Sequence, residues 1–374
     1  MISFNIPLIT GKEEKYVLEV LRGSKYCGDG NFNKKCSSWF IENLSCLAAY
    51  STPSCTAALE MGLMLADIQP GDEVILPSFT FTSTATAIVL HGGIPVFIDV
   101  YPDTLHLNDN LIEAAITPRT KAIIPVHYAG VSCRMENILA IAEKYNLWVL
   151  EDAAQCVHSF DEHGNHMGAK GHMSAFSFHE TKNIHCGEGG MLCVNSPKLT
   201  QRAEIIREKG TNRQQFFRGE VDKYSWQDKG SSYLMSELQA AFLLAQLEQA
   251  PEITKKRRNI WRTYHEGLAG LEKDGKLIRP SSQATGHNAH LYHILLPRAD
   301  ESERVQTAMR KDGVQTVFHY VPLHSSPGGK KFGRTASAMT VTDDLPYRLL
   351  RLPLHASLTN DQVDKVIETL RKHV

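Results

Sequence analysis

The sequence predicts an α/β fold, with a doubly wound, mainly parallel sheet in a large domain and a smaller α/β domain after it. Three observations predict it. Short apolar runs alternate with amphipathic stretches from about residue 45, polar residues follow several of those runs directly, and a long helical stretch near residue 250 ends the alternation. The length of 374 residues suits two domains, here 1–250 and 251–374, and an apolar fraction of 42% supplies a large core.

Residues 73–77, 95–99, 122–127 and 147–152 read as buried strands, because each is a short, nearly continuous apolar run. Between them, 83–91 and 135–145 have helical spacing. Ligands of such sheets gather beyond the carboxyl ends of the strands, so Ser78, His127 and Asp152 are expected to line one cleft. Residues 232–249 read as a long helix. The runs 291–296 and 314–319 then supply strands of the small domain.

Charge excludes several function classes. Forty basic and 41 acidic residues give a net charge of −1, so no global field draws nucleic acid or an anionic membrane. The run Lys255-Lys256-Arg257-Arg258 reads as a solvated helix face. Eight cysteines without a CxxC spacing imply reduced thiols and a cytoplasmic protein. No apolar run approaches the roughly 18 residues that span a bilayer, and no signal peptide is expected. Asn43-Leu44-Ser45 is a chance sequon on that reading. His287, His290 and His293 sit in a strand-like context without a cysteine at ligand spacing, so no metal is expected.

Chemistry is concentrated in two places. Asp152 ends an apolar strand, and Lys182 stands thirty positions later in Phe178-His179-Glu180-Thr181-Lys182-Asn183, before Gly187-Glu188-Gly189-Gly190. Pyridoxal phosphate (PLP) needs this pair, a lysine for its Schiff base and an acid beside its pyridine nitrogen. The acid keeps the ring nitrogen protonated, so that the ring accepts electrons when a proton leaves the carbon next to the amine. The lysine anchors the aldehyde and then moves that proton, which requires an amine made neutral by burial. Thr52-Pro53-Ser54-Cys55-Thr56 precedes a strong helix former, and the free N–H groups of that helix start suit a phosphate, although an ordinary capped helix reads the same way.

Taken in order, Pro53-Ser54-Cys55-Thr56-Ala57-Ala58-Leu59, Pro70-Gly71-Asp72-Glu73-Val74, Pro77-Ser78-Phe79-Thr80-Phe81, Pro125-Val126-His127-Tyr128-Ala129-Gly130, Glu151-Asp152-Ala153-Ala154-Gln155 and Phe176-Ser177-Phe178-His179 resemble the DegT/DnrJ/EryC1/StrS sugar-nucleotide aminotransferases over nearly the whole chain. The resemblance implies the type I PLP-dependent transferase fold of aspartate aminotransferase, with residues 1–250 as the PLP-binding domain. It makes Lys182 the Schiff-base lysine and Asp152 the partner of the ring nitrogen. It sets Gln155 on the ring's hydroxyl side and Phe81 on the ring face, where the alternative is a core aromatic. Cys55, Thr56 and Ser177 would hold the phosphate. Many relatives carry Gly-x-Asn-x-Arg where this chain reads Gly230-Ser231-Ser232-Tyr233-Leu234, so Ser232 stands in place of an asparagine that reaches the neighbouring subunit's phosphate in a homodimer.

Within that family, Cys27-Gly28-Asp29-Gly30, Arg207-Glu208-Lys209-Gly210-Thr211-Asn212-Arg213 and Gln215-Phe216-Phe217-Arg218-Gly219 look like the subgroup that moves an amino group from L-glutamate to C4 of dTDP-4-dehydro-6-deoxyglucose. The resemblance then offers Arg213 and Arg218 as cations for the nucleotide diphosphate, or else as a basic surface loop. His324 is a substrate contact or a structural histidine. Another nucleotide-linked keto-sugar is the alternative substrate. A PLP-dependent sugar dehydratase is disfavoured, because those relatives replace the lysine with histidine.

Overall fold

The computed structural model describes every residue except 282–285 and 300. Its main sheet comprises β1 (Ala48–Thr52), β2 (Glu73–Pro77), β3 (Ile94–Ile98), β4 (Thr120–Ile123), β5 (Trp148–Asp152), β6 (Met173–Ser177) and β7 (Gly190–Val194), joined at one edge by a late strand. A separate two-stranded ribbon is formed by β8 (Tyr292–Leu295) and β10 (Leu349–Leu352), and the late edge strand is β9 (Arg334–Thr335). The strand order is β1-β7-β6-β5-β4-β2-β3-β9. The sheet is mainly parallel, and β7 runs against both of its neighbours.

Alternation along the strands builds two cores. Leu76 of β2 and Leu150 of β5 face the helix Cys55–Leu65, packing with Leu59 and Leu63. Their neighbours Ile75 and Val149 face the other way, onto Ile138 of the helix Met135–Tyr145. Both sheet faces are therefore covered, as uninterrupted apolar strands require. Beyond β6 and β7, Phe40 of the helix Asn31–Leu44 meets Phe176 edge-on at 5.1 Å between ring centroids.

Several boundaries differ from the sequence reading, each for a local reason. The expected strand over 122–127 stops at Ile123, because Pro125 has no N–H for the ladder; pairing resumes only as an isolated bridge between Val126 and Asp152. The helix expected from 232 starts at Glu237, where Ser236 and Gln239 form a reciprocal capping box. Residues 314–319 make no regular strand, only bridges from Val314 to Ile2 and from Val317 to Arg351.

The small domain packs β8 and β10 against the helices Ala250–Gly267, Glu301–Lys311 and Asn360–His373, around Tyr264, Tyr292, Ile294, Leu350 and Val366. The division expected at residue 250 is crossed twice. Ile2 belongs to the small-domain core and donates its N–H to the Gly313 carbonyl over 2.7 Å. Arg334–Thr335 returns to pair with β3 at the edge of the large sheet. The basic run also differs from expectation: Lys255, Lys256 and Arg258 are exposed, but Arg257 is buried on the inner face of its helix.

Candidate active site

Asp152 is the last residue of β5 and is buried. Thr84 donates its hydroxyl hydrogen to Oδ2 over 2.8 Å, and the Ala154 N–H donates to Oδ1 over 3.1 Å. Burial pushes the carboxyl pKa up, against the opposing pull of these two donors and of Lys182. Just beneath, Glu151 accepts from Nε2 of His127 over 2.7 Å and from the Lys170 N–H over 2.9 Å. Nδ1 of His127 takes the Cys133 N–H at 3.1 Å, an arrangement that uses the Nε2–H tautomer. This brace fixes the end of β5 from below.

Lys182 follows β6 on a turn held by its own N–H to the His179 carbonyl, 2.9 Å. Burial lowers its pKa, with Asp152 opposing. Among the described residues no side chain pairs with its amine, so a carbonyl could reach it there. Asp152 and Lys182 line one cleft of about 710 Å³, within the range of small-molecule sites.

The floor of the cleft includes the start of the helix Cys55–Leu65. Ser54 caps it, accepting the Ala57 N–H over 3.1 Å, and Thr56 and Ser83 share a hydroxyl hydrogen bond of 2.8 Å. Ser54, Cys55, Thr56 and Ser177 all line the cleft, so hydroxyls, free N–H groups and the positive helix end meet there. Gly190 lies against this turn. A Cβ on it would overlap the Ser54 carbonyl carbon and oxygen, so glycine lets β7 and the helix start close up.

Gln155 and Phe81 also line the cleft. Gln155 accepts the Ala129 N–H at 2.7 Å and donates from Nε2 to the Tyr320 hydroxyl at 2.9 Å. Phe81 is 62% exposed and precedes the helix Thr82–Leu90, with the Tyr320 ring 6.5 Å away between centroids. Sequence reasoning missed Arg257, His290 and Arg351, which form part of the small-domain wall. The signals were present: Arg257 falls at helical spacing between Ile253 and Ile260, and Arg351 interrupts the apolar run Leu349-Leu350-Arg351-Leu352. His290 contacts Asn183 through Nδ1 at 3.1 Å.

Other expected residues lie outside this chain's cleft. Ser78 and His127 are buried beneath it and do not line it. His324 is held by Ser78 at 2.7 Å and Asp343 at 3.1 Å, which spends both ring nitrogens on structural contacts. Arg213 pairs with Glu208 at 3.1 Å, and Arg218 pairs with Glu204 and Glu220. Ser232 is exposed and bridges Glu208 through backbone bonds.

The family model described as the DegT/DnrJ/EryC1/StrS aminotransferase family matches residues 7–371. The spore coat polysaccharide biosynthesis protein SpsC of Bacillus subtilis is 34% identical, covering 99% of this chain and 96% of that protein. The solved aminotransferase TlmJ of Streptoalloteichus hindustanus superposes with a TM-score of 0.90 at 29% identity, covering 100% of this chain and 98% of that one. NtdA of Bacillus subtilis, solved with bound cofactor PMP, has a TM-score of 0.86 at 28% identity, covering 100% and 86% of the two chains.

The donor set fits the phosphorylated pyridine. One carboxylate, one amine without a side-chain partner and one helix start converge on the cleft, and Gly190 leaves room for the turn that would hold a phosphate. The cofactor is pyridoxal 5′-phosphate, which when bound supplies a carbonyl for amines and a sink for electrons.

Proposed function

Because the chain belongs to the DegT/DnrJ/EryC1/StrS aminotransferase family, we propose that it moves an amino group from L-glutamate to C4 of dTDP-4-dehydro-6-deoxy-D-glucose. The product is dTDP-4-amino-4,6-dideoxy-D-galactose, for a cell-surface polysaccharide. The observation that carries amino transfer is the convergence of Asp152 and Lys182 in one cleft. The choice of sugar is supported by the likeness of residues 207–219 to the subgroup that aminates this substrate.

In this reading Lys182 anchors the cofactor and Asp152 holds the ring nitrogen. Cys55, Thr56 and Ser177 hold the phosphate, Phe81 covers the ring, and Gln155 stands at its hydroxyl side. Lys182, neutral once displaced, takes the α-proton of the donor and later delivers a proton to C4 of the sugar. The protein works as a homodimer in the cytoplasm. The eight cysteines are all unpaired, which supports a reducing compartment. Arg213, Arg218 and Ser232 lie outside their own chain's cleft, and Phe217 and Trp226 nearby are exposed at 62% and 81%. That placement supports their serving the cleft of a second subunit, with Arg213 and Arg218 toward the nucleotide diphosphate and Ser232 toward the phosphate.

The test is turnover of dTDP-4-dehydro-6-deoxyglucose with glutamate and PLP, with the configuration at C4 read by NMR. An axial amine is expected. An equatorial amine, or turnover only of another nucleotide-linked keto-sugar, would move the assignment to a different member of the family.

A further inference from the structure

A second cavity, of about 330 Å³, is walled by both domains and is separate from the cofactor cleft. Among the described residues Leu291 alone lines both. Tyr101, Tyr128 and Phe160 of the large domain and Trp261 of the small domain give the second cavity aromatic walls. Its volume falls within the range of small-molecule sites and is about ten times the space of one water.

Three histidines line it with these rings. His106, His287 and His293 are 4, 8 and 6% exposed, and burial pushes each pKa down to about 4, so all three are neutral at physiological pH. The spacing His287-x-x-His290-x-x-His293 thus divides between two sites, the outer two residues here and His290 in the cleft. Nδ1 of His287 accepts the Ala289 N–H over 3.0 Å, which leaves the ring hydrogen on Nε2. Nε2 of His106 meets the Tyr128 carbonyl at 3.4 Å, so that nitrogen carries the hydrogen. His293 differs: its Nδ1 is shielded from solvent and has no hydrogen-bond partner among the described residues, a state that costs free energy unless something arrives to pair with it.

Charge narrows the occupant. Asp161 is already matched by Lys170 at 3.0 Å, and the guanidinium of exposed Arg134 lies over the Tyr101 ring at 4.4 Å. Asp103 and Glu162 are exposed and in water. The buried walls hold only rings, aliphatic groups and uncharged imidazoles, and a charge taken in among them would lose its hydration without an ionic partner.

We propose that this cavity is a second binding site, taking an uncharged heteroaromatic compound of nucleoside size, with its ring among the aromatic walls and its polar edge on Nδ1 of His293. The site is distinct from the cofactor cleft and does not depend on which sugar is aminated there.

The test uses holoenzyme with PLP bound. Thymidine, cytidine and adenosine are titrated by calorimetry with and without saturating dTDP, into wild type, His293→Leu and Ser132→Trp. At least one nucleoside is expected to bind once per chain with Kd below about 1 mM, and to do so equally in the presence of dTDP. His293→Leu removes the polar partner at similar volume, and Ser132→Trp sets an indole in the cavity from its wall. Each should raise that Kd about tenfold or more. Absence of binding by all three nucleosides, displacement by dTDP, or an unchanged Kd in either folded variant would overturn the proposal. If one variant fails to fold or to hold PLP, the other decides by the same criterion.

Discussion

Thr84 and Asp152 stand 68 positions apart in the chain and meet through one hydrogen bond of 2.8 Å, the threonine hydroxyl donating to the carboxylate. Thr84 is fully buried and Asp152 nearly so, so the bond forms away from solvent. It couples the helix after β2 to the end of β5.

That bond predicts a pH effect. Burial raises the Asp152 pKa, and Thr84 is the leading opposing influence. Thr84→Val keeps the shape and removes the donor, so the carboxyl becomes easier to protonate. A hydrogen bond to a charged group is worth about 1.5–3 kcal/mol, so the acid limb of kcat/KM should move to higher pH by about one unit or more. An acid limb at the wild-type pH would show that Thr84 does not support the ionised form.

Lys182 separates catalysis from stability. Burial lowers its pKa below the unfolded value of 10.5, so the unfolded chain binds more protons between the two values and apoprotein stability rises with pH across that window. Lys182→Met removes the cost of the buried cation. Turnover should fall at least about a hundredfold, while the apoprotein melts no lower than wild type at neutral pH. The difference in Tm should shrink as pH rises toward 10; a variant apoprotein markedly less stable at pH 7 would contradict the argument.

Much of this was legible in the sequence, and the failures have physical causes. Strand β2 and the helix Met135–Tyr145 fall where apolar pattern and period place them. Asp152 and Lys182 stand out in the sequence because PLP chemistry demands those two side chains, and the structure brings them into one cleft. Arg257 was read as solvated because three basic neighbours hide one inward-facing position, which only the burial of Ile253 and Ile260 beside it reveals. His324 shares its segment with His319 and Tyr320, which reach the cleft, but tertiary pairing with Ser78 and Asp343 turns it away. The return of Arg334–Thr335 to the large sheet could not be read at all, since a two-residue strand has no periodicity.

Gly190 supplies a prediction about cofactor affinity. It is register-paired with Thr52 on one side and Ser177 on the other, under the turn at Ser54. Gly190→Ala would push its methyl group into that turn and shift the N–H groups offered to phosphate. PLP affinity should weaken about tenfold or more, with a stability loss of about 1–3 kcal/mol from overpacking. Titration of apoprotein with PLP checks this, and wild-type affinity would mean that the turn is not the phosphate holder.

Glu73 and Arg334 tie the small domain's return strand to the large sheet. Glu73 is fully buried at the start of β2; it accepts from Arg334 at 2.7 and 3.0 Å, from Arg119 at 2.7 Å and from Thr117 at 2.8 Å. The Arg334 hydrogen bond is the largest cause of its lowered pKa. Breaking a buried pair costs about 3–5 kcal/mol, but Arg119 remains and Arg334 is one-third exposed, so Arg334→Ala should cost about 2 kcal/mol at pH 7. The folded pKa lies below the unfolded value near 4.5, so this stabilisation is present above 4.5 and disappears as pH falls through the folded value. Urea denaturation of wild type and variant should therefore show a full gap at pH 7 that narrows below pH 4. A gap independent of pH would assign the loss to packing of β9 and not to the charge pair. His319 and Tyr320, which precede this strand and the helix Pro327–Phe332 in the chain, line the cleft, so a weakened tie should also raise KM for substrate before it unfolds the protein.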